Sequence, residues 1–93
     1  MRRQILTRDI GLCQYCNLFG QVTPADMVDH VVPREVSRAK ELDESNLVSS
    51  CNACHNTKTK WEQKYYGTGQ RNKIKEDAVM ILDYKNLKFI FEK

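Results

Sequence analysis

Residues 51–60, "CNACHNTKTK", admit two readings that lead to different folds. In one, Cys51-x-x-Cys54-His55 is the pentapeptide that carries covalent c-type haem. In the other, Cys51 and Cys54 are half of a zinc site and His55 serves a different purpose. Upstream, Cys13-Gln-Tyr-Cys16 repeats the Cys-x-x-Cys spacing. Zinc favours four soft ligands in a tetrahedron, and two such turns fill the shell with no open position, so the site is a structural one whose binding energy is part of folding. The haem reading leaves Cys13 and Cys16 without a role and requires export. The start "MRRQILTRDIGLC" is basic but lacks a continuous apolar core or a small-residue cleavage site, so it does not read as a secretory signal.

Thirty-four residues separate Cys16 from Cys51, more than zinc fingers use, so the intervening segment is expected to be a folded insertion. Two disulfides, unpaired thiols and a thioredoxin-like redox pair are the competing readings of the cysteines. An intracellular chain, whose thiols stay reduced, argues against the first, and the missing strand–helix context argues against the last.

At 93 residues the chain is expected to be one domain, spanning 1–93, small enough to need a metal staple. A hydrophobic content of 41% with 29% charged residues is that of an ordinary globular chain rather than a disordered one. No run approaches the roughly 18 apolar residues that span a bilayer, so no membrane role is expected. The net charge of +3 is unevenly placed. Residues 57–75 hold six basic side chains (Lys58, Lys60, Lys64, Arg71, Lys73 and Lys75) against Glu62 alone, a net +5 that leaves −2 for the remainder. Such a stretch suits a polyanion; a solvated helix face explains it equally well on charge alone.

Residues 2–10 read as a short helix stopped by Gly11. Residues 27–32 read as a strand ended by Pro33, and "PREVSRAKELDESN" as a polar loop with a helical turn. "LVSS" is β-prone, and a helix capped by Ser50 or Asn52 runs from about Cys51 to Gly67. On it Ala53, Thr57 and Trp61 share one face. Trp61, Tyr65 and Tyr66 could stack on bases, but at helical spacing they read rather as core. "GTGQRNK" is a connector, and "DAVMILDYKNLKFIF" reads either as two strands joined at "DYKN" or as a helix over 74–82.

Only two histidines occur, His30 after Asp29 on the predicted strand and His55 in the first turn of the helix. A zinc clasp brings strand and helix onto one scaffold, so a carboxylate and two imidazoles can share a cleft. That set suits phosphodiester hydrolysis, which needs a base for water and a cation for the phosphate. His30 suits the base, Asp29 and His55 suit a second divalent ion, and Asn46 is placed to bond His30 and fix its tautomer.

"DHVVPRE", "SNLVSSCNACHNTKT" and "RDIGLCQYC" together resemble the HNH endonuclease family over residues 2–62. The resemblance implies an α+β fold, a small zinc-stapled ββα-metal (His-Me finger) domain, with residues 63–93 a basic connector and a C-terminal element of open type. It implies His30 as general base, Asn46 as the residue orienting it, and Asp29 and His55 as ligands of a catalytic Mg2+ or Mn2+ ion, with Ni2+ or Zn2+ as alternatives. Cys13, Cys16, Cys51 and Cys54 then hold structural Zn2+. Lys58 takes a basic position expected near phosphate, and Asn56 a further ligand or brace. The implied substrate is DNA, nicked or cut with little sequence specificity, with Arg71, Lys73 and Lys75 neutralising its backbone. The setting implied is the cytoplasm of a bacterial or phage-infected cell, as a monomer or weak dimer, with room for a protein partner in a larger nucleic-acid-processing machine. The stretch "REVSRAKELDE" stands where many members are glycine-rich, and the C-terminal third matches no family motif. A non-catalytic zinc ribbon that binds nucleic acid is the alternative; it gives Asp29, His30 and Asn46 nothing to do.

Overall fold

A computed structural model describes residues 1–69 and 73–92. Helix α1 (Arg2–Arg8) leads to the first cysteine turn, whose short helix α2 (Gln14–Asn17) is followed by strand β1 (Met27–His30). A loop with two 3-10 turns, Arg38–Lys40 and Glu44–Asn46, returns the chain to strand β2 (Leu47–Ser50), and helix α3 (Asn52–Tyr65) follows at once. The strands pair antiparallel, with Met27 opposite Ser50 and His30 opposite Leu47. The insertion between the cysteine pairs is therefore a hairpin, and with α3 it makes a ββα unit. Among the described residues no helix is long and apolar enough to cross a membrane.

Helix α1 stops earlier than the glycine suggests. The Gly11 amide donates to Leu6 O and the Ile10 amide to Thr7 O, the paired bonds of a Schellman stop. That geometry puts Ile10 at the first left-handed position, with φ +57°, and Gly11 follows it at φ +68°. Isoleucine there is strained, and its side chain is 81% exposed.

Among the described residues the outer edge of β2 has no strand partner, and the end of α1 closes it. Asp9 Oδ2 accepts from the Ser49 amide at 2.9 Å, while Arg8 Nη2 donates to Leu47 O at 2.6 Å. Arg8 and Asp9 also pair with each other at 2.9 Å. Two side chains thus stand in for a third strand. This explains how a four-residue strand containing two serines is buried along its whole length.

The core gathers around the cysteines: Cys13, Tyr15, Val31, Val48, Cys51 and Leu87 form one buried cluster. The C-terminal segment is neither the predicted pair of strands nor a helix over 74–82; it is a 3-10 helix, Tyr84–Phe91, capped by Asp83 accepting from the Lys85 amide. Three residues per turn put Tyr84, Leu87 and Ile90 on one side, and these three pack inward. A stripe of that period, read without its partner surface, passes for a strand. Phe91 reaches the Tyr15 ring at 4.9 Å and Phe89 the Trp61 ring at 5.7 Å, so the segment lies across the cysteine turn and α3. Tyr66 is fully buried, and its hydroxyl accepts from the Ile81 amide. Trp61 and Tyr65 stack on each other at 4.6 Å. These aromatics serve packing.

Candidate active site

The four cysteine sulfurs lie within 4.8 Å of one another. Cys16 Sγ is 3.8 Å from Cys51 Sγ and 3.6 Å from Cys54 Sγ. A tetrahedron with Zn–S bonds of about 2.3 Å has edges of about 3.8 Å, whereas a disulfide needs about 2.05 Å. Burial and the neighbouring sulfurs push the Cys54 thiol well above its usual range. A cation at the centre removes that penalty, so the donor set fits structural zinc. Neither Ser50 nor Asn52 caps α3; Cys51 occupies the cap position and its side chain makes no capping bond, since the sulfur points into the cluster.

Beside this cluster, Val28, Asp29, His30, Pro33, Arg34, Glu35, His55 and Glu62 line a cleft of about 150 Å³. Both imidazoles face it, one from β1 and one from the first turn of α3. His55 Nδ1 and Asp29 Oδ1 are 3.1 Å apart. Two ligands at right angles around an ion, with bonds of about 2.1 Å, are separated by about 3.0 Å, so this pair fits adjacent coordination positions on a hard divalent ion.

The Asp29 carboxylate is buried and aimed. Its other oxygen, Oδ2, accepts from Tyr15 Oη at 2.8 Å and from Lys58 Nζ at 3.0 Å. Burial raises its pKa, but the His55 hydrogen bond, the Lys58 charge and the Tyr15 hydroxyl together outweigh burial, and the group sits below the usual carboxylate range. The Tyr15 phenol is pushed well up by burial and by Asp29, which keeps it a donor. The hydrogen bond to Asp29 raises the His55 pKa, against burial.

His30 Nε2 lies 3.0 Å from the Glu41 carbonyl oxygen. A carbonyl only accepts, so Nε2 carries the proton and Nδ1 keeps the lone pair. Asn46 was expected to make such a contact and does not. Its Oδ1 accepts from the Val32 amide at 2.8 Å, and its Nδ2 donates to Val32 O at 3.0 Å and Lys40 O at 3.2 Å. Asn46 is buried and clamps the two ends of the loop; the residue after Lys40, Glu41, then supplies the carbonyl to His30. The polar loop needs an internal brace, and a two-sided amide provides it.

Lys58 also departs from expectation. It is fully buried, and Nζ donates to His30 O at 2.7 Å, to Asp29 and to Glu62 one helical turn on. All three ammonium protons are used, so it cannot reach a phosphate. Glu62, missed in the sequence, sits opposite it on the same inward face; burial raises its pKa, against the Lys58 charge. Its signal was the i, i+4 spacing from Lys58, which reads equally as a surface pair. Asn56 is exposed on α3.

Lys73 and Lys75 join Lys60, Gln63, Lys64 and Gly67 around a shallow concavity, and Lys75 Nζ donates to Lys64 O. Lys60 and Lys64 are exposed, on the side of α3 away from buried Lys58 and Glu62. The basic stretch is therefore a patch behind the helix, apart from the cleft. Arg71 lies outside the described residues.

Residues 13–60 match the family described as HNH endonuclease, just over half of the chain. The fold is similar to the crystal structure of the deep-sea thermophilic bacteriophage GVE2 HNH endonuclease with manganese ion, at 44% sequence identity and a TM-score of 0.69, covering 71% of this chain and 72% of that one. Comparison with curated proteins gave no match. Sequence motif, ββα unit and four-cysteine cluster agree, and the chain belongs to the HNH endonuclease family of phosphodiester hydrolases.

Proposed function

We propose that this protein is a divalent-metal-dependent DNA endonuclease that nicks or cuts duplex DNA with little sequence preference. One observation carries the reading: a paired carboxylate and imidazole, Asp29 and His55, share one small cleft with a second imidazole whose free nitrogen is defined. Asp29 and His55 are the side chains that hold the catalytic ion; when bound, it supplies Lewis acidity for the phosphate and the departing oxygen. The relative solved with manganese supports that choice of chemistry.

His30 Nδ1 takes the proton of the attacking water, since Nε2 is committed to Glu41 O. Asn46 holds the loop that supplies this carbonyl, which makes it a positioning residue. Tyr15 and Lys58 fix Asp29 Oδ2 and leave Oδ1 turned to His55. Cys13, Cys16, Cys51 and Cys54 hold structural zinc and set the hairpin against α3. The lysines behind α3, Lys73 and Lys75 with Lys60 and Lys64, take up backbone phosphates away from the cut, which makes affinity steeply salt-dependent and blind to sequence. The family resemblance implies 5′-phosphate and 3′-hydroxyl products.

Plasmid incubated with the purified protein and Mg2+ or Mn2+ is expected to be nicked or linearised, and a chelator to stop the reaction. His30→Ala is expected to lower the rate by about 10²–10⁴-fold with zinc content and DNA binding nearly unchanged. Equal cleavage by variant and parent overturns the assignment of the base. Binding without cleavage in every metal points to the zinc-ribbon alternative.

A further inference from the structure

We infer that Arg34 is the side chain that grips the substrate phosphate at the mouth of the cleft, and that Glu41 holds it in place until the phosphate arrives. The inference rests on the nuclease reading and adds a substrate contact to it.

A phosphodiester entering the cleft meets a wall rich in carboxylates: Asp29, Glu35 and Glu62 all line it. The α3 lysine placed closest to it, Lys58, is fully buried with its donors spent. Lys60, Lys64, Lys73 and Lys75 surround the separate concavity behind the helix. Among the described residues that line the cleft, Arg34 is the one cation open to solvent, its side chain 67% exposed. Its planar fork suits two oxygens of one phosphate.

The neighbours of Arg34 divide the work. Pro33 O accepts from the Val36 and Ser37 amides, so Arg34 projects from a tight turn directly after the buried pair Val31 and Val32. Glu35 is engaged elsewhere, accepting from the Gly69 amide at 3.0 Å. Glu41 does two jobs with two different groups. Its main-chain carbonyl receives His30 Nε2, and its side-chain Oε1 receives Arg34 Nη1 at 3.2 Å. The carboxylate is 39% exposed, so the Arg34–Glu41 pair is a solvated surface contact that costs little to break. A phosphate oxygen can therefore displace the Glu41 carboxylate from Arg34 while the Glu41 carbonyl stays on the base. Arginine is thus parked one residue's width from the group that orients His30.

The test compares Arg34→Ala, Arg34→Lys and Glu41→Gln with the parent on end-labelled duplex DNA in Mn2+, with Mn2+ affinity measured separately on each protein. Arg34→Ala is expected to lose roughly ten- to a hundredfold in kcat/KM, the range for a hydrogen bond to a charged group. Arg34→Lys should fall between, since it keeps the charge and loses the fork. The salt slope of DNA binding should drop by about one in Arg34→Ala. Glu41→Gln keeps the carbonyl and frees the arginine, so it should lose less in kcat/KM than Arg34→Ala. Mn2+ affinity should not move in any variant. The assignment is overturned if Arg34→Ala stays within about twofold of the parent. It is also overturned if Glu41→Gln loses as much as Arg34→Ala, for then the pair is only a loop brace. A parent that cuts no DNA sinks the nuclease reading, and the Arg34 contact with it; a parent that cuts while Arg34→Ala cuts equally sinks the contact alone.

Discussion

Lys58 shows how far a residue's neighbours along the chain can mislead. In "TKTKWEQK" it looks like one of several surface cations, yet it is fully buried between Asp29 and Glu62 with its ammonium on the His30 carbonyl. Removing the charge leaves two carboxylates facing each other out of water. Lys58→Met is therefore expected to cost about 3–5 kcal/mol, read as a shift in denaturant midpoint of the zinc-loaded protein. Adding Glu62→Gln to it should recover part of the loss, because one of the stranded charges is gone; strict additivity of the two substitutions argues against the coupling. What was legible in the sequence at this scale was which ligand-type side chains gather. Cysteine, histidine and aspartate at fixed spacings have few other uses, so Cys13, Cys16, Cys51, Cys54, Asp29, His30 and His55 stood out. Lys58 and Asn46 did not, because their partners lie up to 29 residues away and are partly main-chain groups.

The elements were legible where one local rule dominates. Strand β1 ends before Pro33, and α3 begins at the second cysteine turn and ends before Gly67, at Tyr65. The inward face of α3 was hidden because it is polar: Lys58 and Glu62, in step with Cys54, carry a helical period that hydrophobicity cannot show. The closure of β2 by the end of α1 was hidden too, since Arg8 and Asp9 act on a strand some 40 residues away. That closure is pH-dependent. Burial raises the Asp9 carboxyl, but the Arg8 and Ser49 hydrogen bonds outweigh it, and its folded pKa lies below the ordinary 3.8. A carboxyl depressed on folding contributes stability that is fully present above its unfolded pKa and is lost as pH falls through the folded value. The stability gap between the parent and Asp9→Asn should hence be about 1 kcal/mol and flat from neutrality down to about pH 5, then shrink below about pH 4. Zinc release in acid acts on both proteins and drops out of the difference. A gap that widens in acid contradicts the argument.

Across the whole molecule, the buried cluster is organised by sulfur as much as by hydrocarbon. Cys13 and Cys51 are members of it, and Tyr15 and Leu87 pack around them. With so small an apolar core, the metal is expected to supply a large part of the folding free energy, on the order of 10 kcal/mol for tetrathiolate-type zinc sites. A strong chelator should abolish the cooperative thermal transition and expose all four thiols to a thiol reagent. Readdition of Zn2+, and not of Mg2+, should restore both. A transition that persists unchanged after zinc is stripped and verified absent shows a core that stands without it.

Tyr15 carries that dependence further than folding. It lies inside the Cys13–Cys16 turn, and its hydroxyl rests on Asp29 at 2.8 Å. On the other wall, Cys54 and His55 are consecutive residues, one turned to the four-cysteine cluster and one to the cleft. Two stretches of the chain thus yoke the four-cysteine cluster to the cleft, and neither can drift alone. A substitution that shifts the cysteine turn or the start of α3 is therefore expected to disturb the cluster and the cleft together.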